Sequence, residues 1–186
     1  NYSPFAPTPL MASARVRAQG QKIKEARDYI GLSLGIKPDF APALFLLAQI
    51  EAQEGNLKEA ITRTEQTGLL SPNDIGVFFQ LGLLYYQDSN LNSARLAFER
   101  AVALNPDYAN ARYFLGLVYN KKGMTDMAIE QFEKILSANA GNEEVIKILS
   151  NLRSGKNALA EISPPQESPE KRTNLPVTEN DKEDNP

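Results

Sequence analysis

The sequence predicts an all-α solenoid of antiparallel helix pairs, and three observations carry that prediction. The chain repeats at a spacing of 34 residues: Gly55, Ser89 and Gly123 fall in register, as do Ala60, Ala94 and Ala128, and Leu47, Leu81 and Leu115. Each period holds two stretches with apolar residues at helical spacing, seen in Phe78, Leu81, Gly82 and Tyr85 and then in Ala94, Phe98 and Ala101. Turn-formers separate them, with Asp88-Ser89-Asn90 inside a period and Pro38, Pro72 and Pro106 between periods.

The elements follow in order. Residues 1–9 hold Pro4, Pro7 and Pro9 and read as an irregular lead-in. The repeat array is expected over 10–155. Residues 7–40 form a worn first unit that keeps Ala26 and Pro38, followed by complete units at 41–74, 75–108 and 109–142. Gly82 and Ala94 face each other across one hairpin, where small groups let the helices approach and Phe78, Tyr85 and Phe98 fill the space around them. A single hairpin buries only part of this surface, so the units are expected to fold as a stacked set. The units at 7–74, poorer in aromatics, are expected to be the less stable ones.

A last helix is expected over 143–154. Asn142 can cap it, Glu143 and Glu144 suit its positive end, and Val145, Ile148, Leu149 and Leu152 form its apolar stripe. Arg153 and Gly155 suit its other end. Residues 156–186 contain Pro164, Pro165, Pro169, Pro176 and Pro186 among polar and charged groups, with few large apolar side chains. Such a segment buries too little to offset the entropy of ordering and is expected to be disordered. The expectation is nine helices and no strand.

Composition narrows the chemistry. The net charge of −3 lacks the basic excess that general nucleic-acid binding needs. The chain has no cysteine and no histidine. Thiolate nucleophiles, disulfides, Cys-based zinc sites and every Ser-His or Cys-His arrangement are therefore excluded from it. No carboxylate pair, phosphate loop or metal cluster stands out, so catalytic residues, metal and cofactors are each expected to be none. No apolar run approaches the ~18 residues that span a bilayer. The chain opens on Asn1 rather than Met, so it is expected to be a piece or processed form of a longer protein. An upstream membrane anchor or catalytic domain fits that reading, and the compartment stays open between cytoplasm and bacterial envelope.

The 34-residue pattern resembles the tetratricopeptide repeat, with its signature W-x2-L-G-x2-Y, A-x3-F and P. The unit at 75–108 gives Phe78-x2-Leu81-Gly82-x2-Tyr85, Ala94-x3-Phe98 and Pro106. The next gives Arg112-x2-Leu115-Gly116-x2-Tyr119 and Ala128-x3-Phe132, with Ala140 in place of the last proline. The unit at 41–74 gives Leu44-x2-Leu47-Ala48 and Ala60, but Glu51 stands for the Tyr and Thr64 for the Phe. Arg17 occupies the Tyr position of the worn unit, and Arg17 and Glu51 are candidates to pair. The stretch Ala94–Leu136 with its Pro/Glu-rich tail is also similar to the C-terminal ends of some bacterial membrane-anchored repeat proteins.

The resemblance implies a right-handed superhelix, a capping helix over 143–154, and a concave groove lined by the first helix of each pair. The lining positions it implies are Pro42, Phe45, Gln49, Ala52 and Gln53, then Gly76, Phe79, Leu83, Tyr86 and Gln87, then Asn110, Tyr113, Leu117, Asn120 and Lys121. The candidate partner-binding set drawn from these is Phe45, Gln49, Phe79, Leu83, Tyr86, Gln87, Tyr113, Leu117, Asn120 and Lys121. The alternative for Phe45, Phe79 and Tyr113 is simple packing between helices. A two-carboxylate clamp, as in one subfamily, would need Lys at Phe45 and Asn at Gln49 and Gln80, and is absent. Lys121 and Lys122 read as a solvated pair, and Lys58, Glu59, Arg63 and Glu65 as solvated surface.

The expected function is a protein-interaction scaffold holding a peptide or partner helix in an apolar groove, with no nucleic acid, no membrane contact of its own, and an open oligomeric state. The alternative is a regulatory or substrate-positioning segment of a larger enzyme whose catalytic domain lies upstream.

Overall fold

In the computed structural model the described residues are 23–162, 169 and 175–177. They form eight helices and no strand: α1 Ile23–Ile36, α2 Ala41–Gln53, α3 Leu57–Leu70, α4 Ile75–Gln87, α5 Leu91–Leu104, α6 Ala109–Lys121, α7 Thr125–Ala138 and α8 Glu143–Arg153. The helix expected ahead of α1, and most of the tail expected to be disordered, lie outside the described residues.

The period recurs in the backbone bonds. Within each pair the chain turns through Gly55, Ser89 or Gly123, each with positive φ (83°, 60° and 73°). The following amide reaches back five residues in every case: Asn56 N–H to Glu51 C=O at 2.8 Å, Asn90 to Tyr85 at 2.9 Å, Met124 to Tyr119 at 2.9 Å. This is the left-handed C-terminal cap that satisfies the last carbonyls of a helix. Between pairs a different turn closes. Phe40, Asp74, Tyr108 and Asn142 donate to Lys37, Ser71, Asn105 and Asn139, at 3.1, 3.1, 3.1 and 3.3 Å. Proline follows the acceptor in the first three turns, where its fixed φ suits the position. Ala140 takes that place in the fourth, and the turn forms without it.

Ser89 is the one side chain among these three left-handed positions, since the other two are glycines. An L-residue there costs about 1–2 kcal/mol, and glycine returns part of that as unfolded-state entropy. Ser89→Gly is therefore expected to raise stability by about 0.5–1 kcal/mol, read as a higher urea midpoint at unchanged slope.

The chain divides into two compact units, residues 1–84 and 85–186. In the first, α1 packs on α2 and α2 on α3. Its core joins Ala26 and Ile30 to Ala43, Leu46, Leu47 and Ile50, flanked by Ile23, Tyr29, Leu34 and Phe40. The polar residues that replace signature aromatics are satisfied there. Thr64 is buried and its hydroxyl donates to the Ala60 carbonyl at 2.7 Å. Glu51 is buried and accepts from Arg63 Nε through both oxygens, at 2.7 and 2.9 Å. This corrects one expectation, that Arg63 is simply solvated surface. Glu51 is partnered along its own hairpin, and Arg63 is no freely solvated charge, because an arginine twelve positions on lies across the pair. Arg17 is outside the described residues.

In the second unit α5 packs on α6, α6 on α7 and α7 on α8. Its interior is aromatic. Phe114 stacks on Phe98 with centroids 5.7 Å apart and planes 14° apart, and meets Tyr86 and Tyr113 edge-on at 6.1 and 5.5 Å. Tyr113 in turn meets Phe132 edge-on at 5.7 Å. At the next unit's small signature position, a Cβ on Gly116 would lie 2.7 Å from Phe132 Cε2, inside contact distance. Asn142 caps α8, its Oδ1 accepting from Val145 N–H at 3.0 Å.

Candidate functional site

Helix α6 presents Asn110, Tyr113, Leu117, Asn120 and Lys121 at spacings of three, four, three and one, which is one face of a helix. Residues 109 and 121 bound the helix, so this face runs its whole length. Other segments of the second unit meet the two ends of the face.

At the C-terminal end, Asn120 Oδ1 accepts from the Ala158 N–H at 3.1 Å. Asn151 on α8 donates to the Ala158 carbonyl at 3.1 Å and the Ala160 carbonyl at 2.6 Å. Ala158 and Ile162 are buried. At the N-terminal end, Asn110 donates to the Val177 carbonyl at 2.8 Å and accepts from the Val177 N–H at 3.0 Å. Asn142 Nδ2 lies 3.5 Å from the Pro176 carbonyl. Two asparagines on one helix face thus each hold main-chain groups of a different sequence-distant stretch, around Ala158 and at Val177, the kind of contact that carries peptide recognition without charge.

The remaining candidates divide by environment. Tyr113 is fully buried, its hydroxyl bonded to the Glu144 carboxylate. Leu117 and Tyr86 are buried, and the Lys121 ammonium sits 4.1 Å from the Tyr86 ring centroid. Such a placement is a cation–π contact, so Lys121 is engaged within the fold. Lys122 bonds Asn92, and both lysines are exposed, as expected of a solvated pair. Gln87 is exposed. In the first unit Phe45, Gln49 and Leu83 are half-buried and Phe79 is buried.

Two neighbours of the face have perturbed chemistry. Burial pulls the Arg112 guanidinium below its ordinary value, against Asp107 and Glu130, which hold it up. Its Nε donates to the Pro106 carbonyl at 2.6 Å and another nitrogen to Gln131 at 2.8 Å, so it ties the preceding turn to α7. The Tyr119 phenol is pushed up to about 12, first by burial and then by the Glu99 carboxylate, to which it donates at 2.8 Å. Both groups act as fixed donors. Among the described residues no set of acidic side chains is grouped to hold a metal ion. No helix among them is long and apolar enough to cross a membrane.

Asn110 is the residue whose part sequence reasoning missed. Its lining position was legible, but an asparagine in the first turn of a helix reads equally as a helix-end residue. The signal for its partner was a lone Val177 in a polar tail, which composition alone discounts.

Known proteins share this architecture. Residues 79–143 match the family model of the tetratricopeptide repeat. No curated protein matches the sequence. Among solved structures, the crystal structure of MamA protein is 26% identical, with TM-score 0.74, over 80% of this chain and 81% of that one. YrrB, described as a TPR protein with an unusual peptide-binding site, is 19% identical, with TM-score 0.75, over 84% and 83%. PilF of Pseudomonas aeruginosa is 19% identical, with TM-score 0.71, over 82% and 70%. With its 34-residue period, its helix pairs and these likenesses, the chain has the all-α helical-solenoid fold of tetratricopeptide-repeat proteins, and residues 79–143 carry that family's pattern.

Proposed function

We propose that the chain is a protein-interaction scaffold that takes a partner segment by its main chain and apolar side chains along the lining face of its helices. The observation that carries this reading is the pair of asparagines on α6, each bonded to the backbone of a segment outside the helix array. Neutral amides bind a peptide unit without the desolvation penalty of a charge. Phe45, Gln49, Phe79 and Leu83 supply the corresponding positions in the first unit, and Tyr86, Gln87, Leu117, Asn120 and Lys121 in the second. Tyr113 backs the face from below. YrrB, a protein of this fold described as having a peptide-binding site, is consistent with the reading.

The test is selection of peptides from a random display library on the full chain, then titration of the winners against variants. Selected sequences are expected to be apolar and to bind with weak salt dependence. Tyr86→Ala is expected to cost on the order of 2 kcal/mol of binding. Lys121→Ala is expected to cost well under ~1 kcal/mol, since the lysine is exposed and its charge already lies over the Tyr86 ring. Binding that salt abolishes and that Lys121→Ala hurts most would replace this reading with one of an acidic partner.

A further inference from the structure

Asn110 is completely buried, and Val177 is 2% exposed. The side-chain amide and the Val177 peptide groups form a reciprocal pair, one donor and one acceptor on each side. These bonds read no side chain, and they require an N–H at the anchored residue. The side-chain site beside them admits a group of valine size and shuts it from water. Without an occupant, Asn110 would lose both of these buried bonds at once, a cost that another main chain offering the same N–H and C=O would relieve.

Resting on the reading of the chain as a peptide-binding scaffold, we propose that Leu175–Val177 is a resident ligand of the second unit, held in cis by Asn110. A partner engages this end of the α6 face by replacing it. The partner segment carries valine, isoleucine or threonine at the anchored position, with both main-chain groups free, and never proline there. A tethered ligand acts at an effective concentration on the order of mM, so the resident segment sets the threshold that a partner must exceed. The C-terminal segment thereby tunes the affinity of the site it occupies.

The experiment uses the full chain and one probe, a synthetic peptide of residues 172–180. Full-length Val177→Asp vacates the site, because a carboxylate is too costly to bury beside Asn110. Helical content is checked by circular dichroism for every variant. The peptide is expected to bind Val177→Asp at least about tenfold more tightly than the wild-type chain, on the effective-concentration argument. The same peptide with proline in place of Val177 is expected not to bind, and the double variant Asn110→Ala, Val177→Asp is expected to bind neither peptide. Independently, the Val177 amide of the wild-type chain is expected to exchange with solvent at least about tenfold more slowly than in Asn110→Ala. Equal exchange in the two chains overturns the clamp. Equal peptide affinity for wild type and Val177→Asp overturns competition, and library-selected peptides that still bind would leave the scaffold reading standing. Slow exchange with no peptide binding to Val177→Asp overturns the exchangeable ligand and makes the segment a fixed part of the fold. Failure of the scaffold reading would instead show as an empty library selection.

Discussion

Phe114→Ala is expected to destabilise the second unit by about 3–5 kcal/mol, the usual cost of deleting a fully buried phenylalanine. Phe114 is completely buried and touches three other rings, stacked on Phe98 and edge-on to Tyr86 and Tyr113. Removing it leaves a cavity ringed by rigid aromatics on three different helices, which cannot collapse together without moving those helices. Edge and stacked pairs add about 0.5–1.5 kcal/mol each beyond burial, so the loss belongs at the upper part of the range. The measurement is urea unfolding of the full chain, followed by a probe in the second unit such as tyrosine fluorescence. Leu96→Ala on α5 is the control: Leu96 is 58% exposed and should change stability by no more than about 0.5 kcal/mol. A Phe114→Ala loss as small as the control's would mean that the aromatic cluster does not hold the unit together.

The second large effect is expected in the first unit. Arg63→Ala should cost about 2–3 kcal/mol, because it takes from the buried Glu51 carboxylate its ion partner among the described residues. The side chain of Glu51 is 6% exposed and that of Arg63 36%, so the loss falls short of that for a fully buried pair. The discriminating measurement is the double variant Glu51→Leu, Arg63→Leu. If the single loss is the penalty of a stranded charge, removing both charges recovers most of it, since apolar replacements of buried pairs are often neutral. A double variant as unstable as Arg63→Ala would show that the arginine contributes packing rather than neutralisation.

Much of this architecture was legible because the period fixes several things at once. Ala60, Ala94 and Ala128 are all completely buried, and Gly55, Ser89 and Gly123 all take the left-handed conformation. A pattern repeated at three sites carries its own confirmation. Phe114 shows the limit: its position carries no signature residue, so nothing in the period announces that it joins three rings. Glu51 shows another. A charge at a signature aromatic position signals that something has changed, but the partner twelve residues away is chosen by the hairpin crossing. The candidate site was legible as a set of helix positions and illegible as a set of contacts. Position follows from helical spacing, whereas Asn110 and Asn120 are given meaning by segments that local sequence does not place.

The four turns between pairs close with the same bond whether or not proline is present. The joint is therefore a property of the backbone path and makes few demands on the residues that occupy it. A chain with interchangeable joints can grow or shrink by whole units, since a duplicated or deleted stretch of one period brings matching ends together wherever it falls. Any other length puts the small position of one helix opposite the large side chains of its neighbour. The same property lets each unit change its faces separately, as Glu51 and Tyr119 have done from equivalent positions, so variety in what is bound comes from surfaces while the hinges stay common property.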